Sequence, residues 1–231
     1  MTMQKHISFN GNTLKIFALI LMTIDHIGAY LLPEWNFLRI IGRLSFPIFA
    51  FMIAQGCTYT KNRRAYLFKM LLLAFIYQST LYVVSRSLNM CIIVTFSLSI
   101  LMIYATDKMF STRRTIDFIM CLLLLLIIYF ISEMLPRGLE NTDYGIDYGF
   151  FGIMTPLFIF LGKKHSHRLL MTALGLILLS AHYGQIQWFC LLSLIPLYFY
   201  NGERGTAKLK NFFYIYYPLH LVIIYIIGLF I

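Results

Sequence analysis

Lys15 and His26 stand eleven residues apart in the stretch LKIFALILMTIDHIGAYLL, inside a long apolar run. On a helix that separation returns to within about 20° of the starting direction and climbs about 16 Å. The two side chains are therefore expected on one helix face, with Leu19 and Met22 between them. Ionisable groups inside an apolar span are costly, so each is a candidate for function. A lysine offers a compact positive charge to an anion, and a histidine can take or give a proton near neutral pH. Two plainer readings stay open. Lys15 can be a snorkelling lysine that sets topology, and His26 can be hydrogen-bonded across helices. Asp25 points about 100° away from His26 on a helix. It is therefore expected to pair with another helix, through Arg39 or Arg43.

Arg39 and Arg43 lie four apart in NFLRIIGRLSFPIF and would form one basic face at the outer end of a second span. They are either an interfacial pair for lipid phosphate or Asp25, or part of a site. Gly42 between them, and Pro47 beyond, suggest a broken or tightly packed start to that span. In NTDYGIDYGFFGIMTP, Asp143, Tyr144, Asp147 and Tyr148 read as a hydrated outer loop. In NFFYIYYPLHLVIIY, Pro218 removes a backbone donor and His220 must face the interior to be tolerated. His182 is read as an interfacial histidine, and Trp35 and the many tyrosines as interface anchors.

The elements that must position these residues follow from composition. The 231 residues are 60% hydrophobic and only 12% charged, against about 25% charged in soluble domains. Mean hydropathy is +0.77. The apolar residues fall in long blocks, so the bilayer is the expected solvent. A net charge of +10 would suggest nucleic acid in a soluble domain. Here the basic residues cluster between apolar blocks, which points to membrane orientation instead, and no nucleic-acid partner is expected. The cysteines at 57, 91, 121 and 190 form no CxxC and read as buried small hydrophobes; neither a disulfide framework nor a metal site is expected. The first apolar block is too long for a cleaved signal peptide.

The fold class expected is all-α, a polytopic transmembrane helix bundle of about nine spans within a single integral membrane domain, residues 1–231. The spans run roughly 14–32, 44–60, 65–85, 91–106, 115–132, 149–162, 169–183, 185–200 and 211–231, the sixth to eighth being short enough for a re-entrant path. Four loops are basic. They carry Lys61, Arg63, Arg64 and Lys69; Lys108, Arg113 and Arg114; Lys163, Lys164 and Arg168; and Arg204, Lys208 and Lys210. Lys5 and Lys15 flank the first span. The loop at 133–148 is acidic. Nine spans place every basic cluster on one side, which puts the N-terminus in the cytoplasm and the C-terminus outside. No GxGxxG, Walker loop, HExxH or GxSxG is present in a suitable setting.

Several stretches resemble the TraX family, named for a conjugation protein that N-acetylates pilin. They are LKIFALILMTIDHIGAYLLP, RIIGRLSFPIFAFMIAQG with YTKNRRAYLFKMLL, DYGFFGIMTPLF and FFYIYYPLHLVIIY. IDHIG and IGRLSFPIFAF are the more specific in combination. The chain is also similar to the larger membrane acyltransferase family 3, whose first helix carries Arg-x10-His. Here Lys15-x10-His26 keeps the spacing, and YPLH resembles that family's last conserved helix. The cytoplasmic RxxR of that family has only Arg63, Arg64 and Lys69 as loose counterparts.

The resemblance implies an acyltransferase of the bacterial cytoplasmic membrane. It would move an acetyl group from cytoplasmic acetyl-CoA to an acceptor amine or hydroxyl at the outer face. The acceptor would be a pilin-like peptide, a glycan or a lipid. Lys15, Lys61, Arg63, Arg64 and Lys69 would meet the phosphates of the donor. His26 would be general base, with Asp25 and His220 in the catalytic group. Arg39 or Arg43 would stabilise the oxyanion. Two rivals remain: a small proton-coupled transporter relaying protons through Asp25 and His26, and a non-catalytic membrane scaffold. The absence of internal repeats weighs against the transporter.

Overall fold

The protein is described from a computed structural model that covers residues 8–207 and 209–230. Lys5, Lys208, Ile231 and the side chain of Lys210 lie outside the described residues. The chain is a bundle of helices. The first is α1, Gly11–Tyr30. Asn10 caps it, its side chain accepting from the Thr13 amide at 3.0 Å, which satisfies one of the donors every helix start leaves free. Next come α2, Asn36–Gly42, and α3, Ser45–Tyr59, joined by a two-residue turn. Asn62 caps α4, Arg63–Ser85, in the same manner as Asn10 caps α1.

A two-residue strand β1, Asn89–Met90, leads to α5, Ile92–Thr112. Helix α6, Thr115–Tyr129, passes through a π-turn at Phe130–Met134 into α7, Leu135–Gly138. Strand β2, Gly145–Ile146, pairs in parallel with β1. Then follow α8, Gly149–Leu161, α9, His165–Tyr183, a 3₁₀ stretch at Gln185–Ser193, α10, Leu194–Tyr198, and α11, Lys210–Gly228.

Among the described residues, five helical runs are long and apolar enough to cross a membrane: Gly11–Tyr30, Asn36–Tyr59, Arg63–Ser85, Ile92–Thr112 and Thr115–Gly138. The chain is a helical membrane protein. The second run takes in α2 as well as α3, so Arg39 and Arg43 belong to the same crossing as Pro47. The short spans in the expected set are short here too. At 1.5 Å per residue α8 is about 20 Å long, less than the ~30 Å hydrocarbon core. The stretch from Gln185 to Tyr198 is mostly 3₁₀ and packs against α2, α3 and α9.

The interior is formed by α1, α3, α5 and α8, where Leu14, Ala18, Ile48, Phe51, Ile100 and Ile153 are at most 1% exposed. Helices α4 and α6 instead turn rows of Leu, Phe and Ile outward, as lipid-facing helices do. All four cysteines are buried and free, as small hydrophobes.

The polar loops sort to two ends. At one end Phe9 and Tyr200 form a bridge, and the amides of Gly11 and Asn12 donate to the carbonyls of Glu203 and Arg204. At the same end Arg63 meets Asp107 at 2.6 Å. Arg168, after α8, donates to Gln55 at 2.7 Å near the end of α3. The four basic loops therefore gather with the start of α1. At the other end both carboxylate oxygens of Asp143 accept from the Leu88 amide. A hydrogen bond from the Ser87 hydroxyl, and then that from Leu88, hold the Asp143 carboxyl below the usual carboxylate range.

Candidate functional site

Helices α1 and α11 run in the same direction. Lys15 Nζ lies 5.7 Å from the Phe213 ring, Thr23 and Tyr216 share a hydroxyl bond of 2.6 Å, and His26 meets His220. Nδ1 of His26 and Nε2 of His220 are 2.7 Å apart. Nδ1 of His220 lies 3.0 Å from the Tyr216 carbonyl oxygen. A carbonyl can only accept, so His220 carries a proton on Nδ1. In a neutral pair its Nε2 is then an acceptor, His26 donates from Nδ1, and Nε2 of His26 holds the bare lone pair. Tyr216 and Tyr77 stack on the His220 ring, and His220 is only 4% exposed. The expected helix face on α1 is present: Lys15, Thr23 and His26 all contact α11.

Asp25 turns the other way, toward α2, as its helix position requires. Its Oδ2 meets Arg39 Nη1 at 2.8 Å, and the same nitrogen donates to the Asp25 carbonyl at 3.0 Å. Arg43 is farther, 3.9 Å from Oδ1. Glycines permit this approach. A Cβ on Gly28 would sit 2.7 Å from the Leu38 Cβ, and one on Gly42 would overlap the Asp25 side chain. Asp25 and His26 thus serve two different helix contacts.

Arg43 reaches the Tyr148 hydroxyl at 3.5 Å, and its Nε, although buried, has no hydrogen-bond partner among the described residues. Tyr148 stacks on Phe46 at 4.1 Å and has φ of +61°, a left-handed conformation rare outside glycine. Such strain costs about 1–3 kcal/mol and collects at functional sites. Tyr148, Arg39, Arg43, Asp147 and Gln187 line a cleft of about 550 Å³ on the side away from the basic loops. Asp147 has no ion-pair partner among the described residues, and burial pushes its carboxyl up to about 6. Gln187 is 5% exposed, its side chain set against the Cys190 thiol.

A second cavity opens at the basic end. A vestibule of about 610 Å³ is lined by Lys15, Asn62, Lys69 and Arg204 among others. It shares Lys15, Met52, Tyr66 and Arg204 with a narrower throat of about 160 Å³. The throat is walled by Phe49, Met70, Phe96 and Phe213 and ends on Tyr217, whose ring is 6.3 Å edge-on from His220.

The sequence candidates therefore divide. His26 and His220 form one pair. Asp25, Arg39 and Arg43 form a second cluster. Lys15 and Lys69 face the vestibule. Lys61 and Arg64 are exposed and line none of these cavities, and Arg63 is committed to Asp107 and the Tyr104 ring. Sequence reasoning took Arg204 only as one charge of a topology-setting basic loop, did not single out Gln187, and read Asp147 and Tyr148 as ordinary loop. His182 is not merely interfacial. It lies 3.3 Å from Glu133, whose other oxygen accepts from the Phe150 amide at the start of α8. No group of three or more metal-ligating side chains occurs among the described residues.

Fold and site together define a helical membrane protein with a histidine pair joining its first and last helices. The chain matches the TraX protein family over residues 10–228 and belongs to it. It is 23% identical to a probable fimbrial assembly protein, FimC of serogroup H1, from Dichelobacter nodosus, over 96% of this chain and 97% of that protein. A stretch of 38 residues is 60% identical to an uncharacterized protein of Rickettsia prowazekii, covering 16% of this chain and 15% of that one. No solved structure matches.

Proposed function

We propose that this protein is an acetyl-CoA-dependent acyltransferase working across the bacterial cytoplasmic membrane in pilus or fimbrial assembly. The observation that carries the reading is the His26–His220 pair, with His26 Nε2 left as the unprotonated nitrogen. Family membership and the fimbrial name of the Dichelobacter relative point to pilus biogenesis as the setting. The Lys15-x10-His26 spacing is the shared feature with the larger acyltransferase family. The domain would cross nine times, N-terminus inside. The parallel run of α1 and α11 supports an odd number of crossings.

Acetyl-CoA is a substrate in this scheme. Its phosphates would meet Lys15, Lys69 and Arg204 at the vestibule, and its pantetheine arm would fit the apolar throat. His26 Nε2 removes the proton from the acceptor amine or hydroxyl as that atom attacks the thioester carbonyl. The carbon–sulfur bond then breaks, and the thiolate takes the proton back from His26. His220 keeps the His26 tautomer correct throughout. Asp25, held by Arg39, fixes the helix that carries His26.

The experiment is release of free CoA thiol from acetyl-CoA by the full chain in nanodiscs, with a peptide bearing a free amino end as acceptor. Thiol release that disappears in His26→Ala, with acetyl-CoA still bound, supports the reading. Full activity in that variant removes it. A folded protein that binds no acetyl-CoA brings the transporter forward.

A further inference from the structure

Thr23 stands about one turn before His26 on α1, and Tyr216 about one turn before His220 on α11. Their hydroxyls lie 2.6 Å apart. The Thr23 hydroxyl also lies 2.9 Å from the Leu19 carbonyl oxygen. A carbonyl only accepts, so the Thr23 proton goes to Leu19 and the Tyr216 hydroxyl donates to Thr23 Oγ1. The two helices are thus joined twice in succession, by Tyr216 to Thr23 and by His26 to His220 at 2.7 Å. One bond lets two parallel helices turn and slide about it. A second, a turn away, stops both motions.

Tyr216 meets the histidine pair in two further ways. Its carbonyl oxygen lies 3.0 Å from His220 Nδ1, and its ring lies along the His220 ring, centroids 5.3 Å apart and planes within 6°. The residue that sets the His220 tautomer through its backbone is therefore anchored to α1 through its side chain. Pro218 falls between Tyr216 and His220. It has no amide to give the Tyr214 carbonyl, so α11 lacks a rung at the point where Tyr216 must hold His220. Ile20, Phe212 and Leu219 beside this seam are about half exposed, which in a bilayer means contact with lipid. Lipid offers no water to replace a lost hydrogen bond.

We infer that Thr23 and Tyr216 are positioning residues for the histidine pair: their hydroxyl bond holds α11 at the rotation in which His26 donates from Nδ1 and keeps Nε2 bare. Their effect on turnover rests on the acyl-transfer reading; their effect on the tautomer does not. A displacement of about 1 Å far from the chemistry can cost about 10²-fold in rate, so a clamp one turn away is close enough to matter. Neither hydroxyl touches the acyl donor in this scheme, so acetyl-CoA binding should not depend on them.

The test uses the full chain in phosphatidylcholine nanodiscs, labelled with ring-¹⁵N histidine. The two resonances of the pair are identified by their loss in His26→Ala and His220→Leu. The unaltered chain should show a nitrogen–nitrogen coupling across the His26–His220 bond and a single His26 tautomer. Tyr216→Phe keeps the ring and the carbonyl, and Thr23→Val keeps the side-chain shape. Each should lose the coupling and give mixed His26 tautomers, and Thr23→Ser should keep both signatures. In acetyl transfer to a peptide with a free amino end, kcat should fall about tenfold in Tyr216→Phe and in Thr23→Val. KM for acetyl-CoA should stay within about twofold, and Thr23→Ser should recover kcat to within about twofold. The double variant should be no worse than either single one, since both remove the same bond. Circular dichroism and the unfolding temperature establish that each variant is folded. Coupling and tautomer unchanged in Tyr216→Phe and Thr23→Val overturn the inference, as does an equal loss in Thr23→Ser and Thr23→Val. Altered tautomers in a protein whose unaltered form transfers no acetyl group refute the enzymatic reading alone. Transfer that keeps its full kcat in Tyr216→Phe refutes the positioning role alone.

Discussion

His26 Nδ1 and His220 Nε2 lie 2.7 Å apart, while His220 is tied through its other nitrogen to the Tyr216 carbonyl one turn earlier on α11. The direction of every proton in this short chain follows from that carbonyl. It sets the tautomer of His220, which sets that of His26, and the free lone pair ends on the nitrogen facing away from α11. The last helix thus determines which atom of the first can accept a proton.

Replacing His26 by alanine is expected to lower acetyl transfer by about 10²–10⁴-fold, the usual contribution of a general base. Acetyl-CoA affinity should change little, because the vestibule groups are untouched. Steady-state thiol release and equilibrium binding in the same nanodiscs check both halves.

His220 acts through His26, so its replacements should differ by what they can accept. His220→Leu offers no acceptor to the His26 Nδ1 proton and is expected to lose activity by about 10²-fold, within the range that general-base catalysis contributes. His220→Gln retains a carbonyl oxygen and should recover part of the loss. Equal loss in the two variants would mean that His220 does no more than fill space. A shift in the pH profile of kcat in the glutamine variant is the signature of positioning.

Much of this arrangement was legible in the sequence, for reasons that differ by residue. The eleven-residue spacing of Lys15 and His26 survived because α1 is regular, and a regular helix turns spacing into direction. The 100° offset turns Asp25 toward another helix, with Arg39 or Arg43 as its expected partner, and the close pair is with Arg39. What could not be read was which residues far apart in the chain come together. His26 meets His220 across 194 positions. Gln187 is one glutamine in a stretch whose 3₁₀ winding leaves no clear period, and Tyr148 gains its place from a left-handed backbone that its type disfavours. In the basic loop at 61–69 charge type is visible in the sequence, but the ion pair of Arg63 with Asp107 depends on another loop.

At the vestibule, Lys15→Ala and Arg204→Ala should each raise the KM for acetyl-CoA several-fold with a smaller effect on kcat, since they would contact the donor phosphates and not the reacting atoms. Arg64→Ala serves as the contrast and should leave KM unchanged. A rise in KM of equal size in all three would mean that general positive charge, not these positions, attracts the donor.

Gly42→Ala is predicted to fail differently, through stability. The added methyl would overlap the Asp25 side chain, and overpacking of this kind costs about 1–3 kcal/mol. Helices α1 and α2 must then part, and the Asp25–Arg39 bond of 2.8 Å with them. The expected result is a lower unfolding temperature together with lower kcat, and Gly138→Ala, where a Cβ meets nothing within 4 Å, is the control that should show neither.

Asp147 gives the pH dependence its sign. Its carboxyl titrates near 6 in the folded chain, raised by burial from an ordinary value near 4, with Arg39, Arg43 and Asp25 as the charges facing it. Between those values the folded protein holds more protons than the unfolded one, so this group's contribution to stability falls as pH rises through the window. In Asp147→Asn that trend should vanish: the variant should be the more stable protein at pH 7 and of equal stability at pH 4. An unfolding temperature at pH 7 that drops on this change would show that the carboxylate is already paired and stabilising.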